Sequence, residues 1–217
     1  MEETKWERYA ALGGFVFVAL NVAGALLPGA PPSSDDSPAK VATYFKDHAG
    51  SIKLGQAMAG LGTIGLLWWL GSLWRLMNRA ENERPRLAIV AAVSLAMGGV
   101  LALLSGAIAS TTALRIDEIG EGSKFFVAMS NVVISTSGFC LVAFLAAVSA
   151  LSYRTKMLPT WITYVGWVAS AGFLVASFGS ASDADVLGIL GLLSFLVWCV
   201  WIVGVSAFMW KGSAATS

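Results

Sequence analysis

Residues 59–65 read Ala59-Gly60-Leu61-Gly62-Thr63-Ile64-Gly65, so Gly60 to Gly65 spell G-x-G-x-x-G, the dinucleotide-binding fingerprint. Read one way, this stretch opens a nucleotide-binding α/β fold; read the other way, it is a length of membrane helix. The fingerprint works only when a strand precedes it and a helix opens at its last glycine. Here Ser51 to Met58 forms no β-branched strand and reads as the start of one apolar run, which continues through Leu66-Leu67-Trp68-Trp69-Leu70. No acidic residue follows about 20 positions on to hold a ribose. Gly60 to Arg79 has none, and Glu81 falls in a loop. Glycines in membrane helices let neighbouring backbones approach closely. The stretch is therefore a packing surface carried by Gly60 and Gly62, and no nucleotide site.

The composition points the same way. The 217 residues are 57% hydrophobic and 12% charged, with a mean hydropathy of +0.73. Soluble domains carry roughly 25% charged residues, because much of any globular surface must be solvated. The bilayer is the natural solvent for this chain. A net charge of +1 gives no reason to expect a nucleic-acid partner. Cys140 and Cys199 both lie in apolar runs without a C-x-x-C pair, so they read as buried free thiols rather than a disulfide or zinc site.

A spanning helix needs about 20 mostly apolar residues. Six charge-free runs meet that need: Ala10–Leu27, Leu54–Trp74, Leu87–Leu114, Phe125–Leu151, Trp161–Ser180 and Val186–Trp210. None contains Asp, Glu, Lys, Arg or His. The expected fold is an all-α polytopic bundle of six transmembrane helices forming a single domain over residues 1–217. With the amino terminus cytoplasmic, nine of the Lys and Arg residues fall inside (Lys5, Arg8, Arg75, Arg79, Arg84, Arg86, Arg154, Lys156 and Lys211) and five outside (Lys40, Lys46, Lys53, Arg115 and Lys124). The positive-inside rule thus places both termini in the cytoplasm. Asp35, Asp36, Asp47, Asp117, Glu118, Glu121, Asp183 and Asp185 then lie outside. Ala23-Gly24-Ala25 resembles a signal-peptidase site, but Glu2, Glu3 and Glu7 make a poor signal and the apolar run is long for one.

The long outer segment, residues 28–53, opens with turn chemistry at Leu27-Pro28-Gly29-Ala30-Pro31-Pro32. Ser37-Pro38 then reads as the N-cap and first position of a helix. Val41, Tyr44, Phe45, His48 and Ile52 share one face of it, predicting a short amphipathic helix on the outer membrane surface. His48, the single histidine, reads as an interfacial ring at the edge of that face. In the third span Ser94, Gly98, Ala102, Gly106 and Ser110 place a small residue at every fourth position, a packing column of about 24 Å. Its partner is a helix of this chain or of a second copy. Trp6, Trp68, Trp69, Trp74, Trp161 and Trp210 are expected to form an aromatic belt near the inner ends.

The spans offer no lysine for a retinal Schiff base and no histidine pair for haem, so no cofactor is implied. They lack the intramembrane carboxylates of proton pumps and the clustered ligands of metallohydrolases. No G-x-S-x-G elbow is present. Three amides remain: Asn21, Gln56 and Asn131, all near the outer ends of their helices. Ser110, Thr111, Thr112, Ser130 and Ser177 sit at similar depth. Two readings stay open. The amides are interhelical glue, or they line a neutral pocket with Ser110 and Thr111, rimmed by Arg115, Asp117 and Glu118.

Three further stretches stand out: Gly13-Gly14-Phe15, then Ser37-Pro38-Ala39-Lys40-Val41-Ala42-Thr43-Tyr44-Phe45-Lys46-Asp47-His48, and Leu158-Pro159-Thr160-Trp161-Ile162-Thr163-Tyr164-Val165-Gly166. In these the chain resembles a family of multi-pass membrane proteins of high-GC bacteria classed as a domain of unknown function. The resemblance implies a helical bundle in a bacterial plasma membrane and brings no activity, ligand or catalytic residue. The functional expectation is a non-catalytic protein that contacts membrane lipids and binds a neutral or lipophilic molecule, or serves as an accessory subunit to another membrane protein or to its own copies. A facilitative carrier is the second class. The third is a membrane enzyme using the outer carboxylates Asp117 and Glu118.

Overall fold

The computed structural model describes the backbone of residues 2–33, 35–82, 84–181 and 185–215, with side chains from residue 9 to 211 apart from 185. The side chains of Lys5, Trp6, Arg8, Asp183 and Asp185 therefore lie outside it. It is all-α, and six of the described helices are long and apolar enough to cross a membrane. The chain is a multi-pass integral membrane protein. In order the helices are α1 (Glu2–Leu26), α2 (Pro38–Asp47), α3 (Ala49–Ala80), α4 (Leu87–Leu114), the single turn α5 (Ile116–Ile119), α6 (Ser123–Thr155), α7 (Thr160–Ser177) and α8 (Asp185–Ala215).

The long helices overrun the apolar segments at their ends, and local chemistry explains where they stop. After α3 the chain turns at Asn82, and both Glu81 carboxylate oxygens accept the first amides of α4, Leu87 at 3.0 Å and Ala88 at 2.9 Å. A carboxylate suits the positive end of a helix dipole. α6 ends on Lys156 in the left-handed conformation, where the Ser152 hydroxyl holds the next turn through Leu158 N–H at 3.2 Å and the Thr163 hydroxyl at 2.7 Å.

The six spans form a closed ring. Each packs on its neighbours in chain order, α1 on α3, α3 on α4, α4 on α6, α6 on α7 and α7 on α8, and α8 returns to α1. Close backbone approach makes the tightest seam, between α1 and α3. There a side chain at Gly13 would strike the Gly65 carbonyl oxygen, and one at Gly24 would lie 2.8 Å from the Gly55 carbonyl oxygen. Gly62 faces the Asn21 amide in the same seam. Gly60, expected to pack, meets nothing within 4 Å, because one helical step turns it away from α1. Away from the ring's interior, Leu61, Ile64, Leu67, Trp68, Val100, Ile189, Leu193 and Val200 are exposed, as lipid-facing side chains are.

The small-residue column of α4 does not serve one partner. Gly98 faces Cys140 on α6, Gly106 lies under the Gln56 amide of α3, and Ala102 lines the interior space. The 3.6-residue turn rotates an every-fourth-residue column steadily around a helix, so its ends meet different neighbours. The α4–α6 seam instead uses Ser105 and Ser130, whose hydroxyls each donate to the other's backbone carbonyl at 3.0 Å.

On the side away from α2 the ring is filled. Trp69 of α3, Phe144 of α6 and Trp201 of α8 are fully buried, with Trp201 edge-on to Trp69 at 6.1 Å and to Phe144 at 5.6 Å. Leu73, Met77, Val148, Ile162 and Val205 continue the plug. Trp69 thus leaves the expected aromatic belt, whereas Trp68, Trp74 and Trp161 are exposed.

α2 forms where Ser37 and Pro38 predict it, with the Ser37 hydroxyl accepting from Lys40 N–H at 3.3 Å. Its apolar face, however, rests on protein. Val41 and Phe45 are buried against Ala113 and Ile116, so α2 caps the end of the ring rather than lying on lipid.

Candidate functional site

Between the plug and α2 the ring is hollow. The inner chamber, about 400 Å³, takes its walls from all six spans, including Phe17, Gln56, Leu95, Leu141, Phe173 and Trp198. The outer chamber, about 340 Å³, lies beneath α2 and the proline turn, among Pro28, Pro31, Tyr44, Phe45, Ser130 and Asn131. The chambers meet at Asn21, Gln56, Ala59 and Phe195, which line both. No Asp, Glu, Lys, Arg or His lines either chamber among the described residues.

Backbone features place two of the amides. Asn21 donates one N–H to the Phe17 carbonyl at 3.0 Å, which fixes it along α1 opposite Gly62. Its carbonyl oxygen and second N–H remain to offer. Gln56 lies flat over Gly106, where any side chain would collide with the amide. Neither Gln56 nor Asn131 has a hydrogen-bond partner among the described residues. Gln56 is half-buried and lines both chambers, so its amide is placed to take a partner from within the cavity. Trp198 supplies the aromatic wall, edge-on to Phe17 at 5.3 Å, Phe195 at 6.0 Å and Phe173 at 6.3 Å.

The fold brings Asn21, Gln56 and Asn131 to one connected space. It does not bring the rest of the expected set there. Thr111 is exposed, the Ser110 hydroxyl is shut away with no partner among the described residues, and neither lines a chamber. The expected rim lies outside too: Arg115 pairs with Glu118 at 2.8 Å and Asp117 with Lys46 at 3.3 Å, all four exposed. Arg115 ends α4 and leads into the single turn α5, which carries Asp117 and Glu118. Thr63, Ser135, Phe195 and Trp198 line the space and carried no distinguishing signal, since hydroxyls and aromatics occur throughout the spans.

Outside the spans, Asp36 precedes α2, and its carboxyl is held below the ordinary carboxylate value, chiefly by the hydrogen bond from Lys40 at 2.6 Å. The Lys124 ammonium donates to the Asp36 carbonyl at 2.9 Å, tying the start of α6 to the cap. Tyr44 donates to the Pro28 carbonyl at 3.3 Å, and burial pushes its phenol up. His48 stacks on the Tyr44 ring at 4.6 Å.

Fold and site together define a six-span α-helical membrane protein with a partly open, amide-bearing cavity between its helices, plugged at one end and without a charged lining residue among those described. No known family, curated protein or solved structure matches the chain. Its chemistry is therefore read from its own residues.

Proposed function

We propose that the protein is a non-catalytic binder of a small neutral, largely apolar molecule, taken up within the ring between the aromatic plug and α2. The observation that carries this reading is the Gln56 amide, unpartnered beside two connected chambers without a charged wall residue. An ion would leave its hydration shell there for no opposite charge, whereas a neutral molecule loses little. The plug supports binding over passage, because a carrier would have to separate Trp69, Phe144 and Trp201 in each cycle. Asp117 and Glu118 are engaged in exposed ion pairs and line neither chamber, so the cavity offers nothing to an enzyme built on them.

The same reading sets both termini in the cytoplasm and α2 outside, on the nine-to-five distribution of Lys and Arg, and takes the bacterial plasma membrane from the sequence resemblance alone. Native mass spectrometry of protein extracted with its lipid tests the binding role. A defined neutral mass should survive delipidation on wild type and fall away in Gln56→Leu. A clean apo wild type would overturn it.

A further inference from the structure

The cavity's two halves differ in what they ask of an occupant, and that difference gives the ligand a shape. Leu66, Leu95, Leu103, Leu141, Phe173 and Leu192 wall the inner chamber. Three of its hydroxyls are already satisfied along their own helices. Thr63 donates to the Ala59 carbonyl at 2.9 Å, Ser137 to Ile134 at 2.6 Å and Ser177 to Phe173 at 2.7 Å. What this chamber offers is chiefly apolar surface. Its fourth hydroxyl, Ser135, and the Trp198 indole N–H have no partner among the described residues, while the amides that offer both donor and acceptor stand at the junction and above it: Gln56, the remaining donor and acceptor of Asn21, and, at the exposed side of the outer chamber, Asn131.

We infer that the occupant is an uncharged amphiphile with one apolar chain, its tail between the six helices and its hydroxyl-, ester- or amide-bearing head beneath α2. This rests on the neutral-binder reading above and deepens it. The inner chamber's volume stands near the small end of ligand pockets, roughly 300–1,000 Å³. That suits one chain and not the pair of a phospholipid. A fatty-acid carboxylate finds no Lys, Arg or His on either chamber's described walls. A bare alkane leaves the half-buried Gln56 amide unpaired.

Gly99 provides a clean test, because it lines the inner chamber and nothing lies within 4 Å of where its Cβ would stand. A phenylalanine there fills the chamber without moving backbone. Gly188 on α8, which also lines the chamber and has nothing within 4 Å of its Cβ position, serves as a second filling position should the first variant fail to fold. The full chain in detergent is given 1-monooleoylglycerol, oleate or hexadecane and examined by native mass spectrometry, followed by a series of monoacylglycerols of decreasing chain length.

Wild type should retain one monooleoylglycerol and hold oleate and hexadecane at least about tenfold more weakly, the worth of about one hydrogen bond to a buried group. Gly99→Phe or Gly188→Phe should move the preferred monoacylglycerol to shorter chains. Equal retention of hexadecane would remove the head from the proposal, and equal retention of oleate would remove its neutrality. An unchanged chain-length preference in both filling variants would take the tail out of the inner chamber. If folded wild type retains no probe yet copurifies with another neutral mass, the amphiphile is wrong and the binder reading survives. If it retains nothing at all, both fall.

Discussion

Glycine means different things at different places on the same helix. Gly60 and Gly65 belong to one fingerprint-like string, yet Gly65 touches the α1 backbone and Gly60 touches nothing within 4 Å. Gly13→Ala, which would drive a methyl into the Gly65 carbonyl, should lower stability by about 1–3 kcal/mol. Gly60→Ala should be neutral or stabilising by up to about 1 kcal/mol through helix propensity alone. Thermal melts of the two variants in one detergent check the contrast, and equal losses would refute the ring's α1–α3 seam. Gly106→Ala belongs with Gln56→Leu: by displacing the amide it should release the retained ligand while keeping the Gln56 side chain itself. Asn21, Gln56 and Asn131 were legible in the sequence because amides are rare in apolar spans. Arg115, Asp117 and Glu118, expected at a rim, line neither chamber, because nearness along the chain to an outer helix end says nothing of which way a turn points.

At the scale of the element, α2 is the one piece held mainly by side chains from elsewhere. Phe45→Ala should cost about 3–5 kcal/mol, the usual loss for a buried phenylalanine. That loss falls on the docking of α2 rather than on the ring. Limited proteolysis within residues 28–48 should therefore appear while the main melt stays put. The pH dependence has a definite sign. Asp36 titrates below its ordinary value of 3.8, so its tie to Lys40 is complete above that value and is lost as pH falls through the depressed one. Cleavage near Ser37 should be unchanged from neutral pH down to pH about 5, above the carboxylate range, and rise only at stronger acidity. Asp36→Asn should give the acid pattern at neutral pH. Ser37-Pro38 announced this helix plainly, because a cap and a fixed proline φ are local facts. What α2 rests on was not local: its apolar face fits lipid or protein equally well, and Ala113 and Ile116 decide it from about 70 residues away in chain order.

Across the whole molecule, the ring, the plug and the cavity form one device, and its direction in the membrane can be read with single cysteines. In a Cys140→Ser, Cys199→Ser background, a cysteine replacing Thr43 on the exposed side of α2 should react with a membrane-impermeant maleimide in intact cells. One replacing Asn82, in the turn between α3 and α4, should react only after lysis. The reverse pattern would invert the proposed topology and turn the cavity to the cytoplasm. Trp201→Ala removes the ring that bridges Trp69 and Phe144, and should lower stability by about 3–5 kcal/mol in the same melts.

The sequence by itself determined that the chain crosses the membrane in six helices, that the spans carry no charge, and where α2 begins. These follow from length, composition and capping, which act over one segment at a time. Only the tertiary structure decided that α8 closes on α1, that Gly62 and Gly65 pack while Gly60 does not, and that Trp69 plugs the interior while Trp68 meets lipid. The physical reason is the solvent. In water a helix marks its buried face by being apolar on that face alone, but in lipid both faces are apolar, so the period that tells inside from outside is missing from the string.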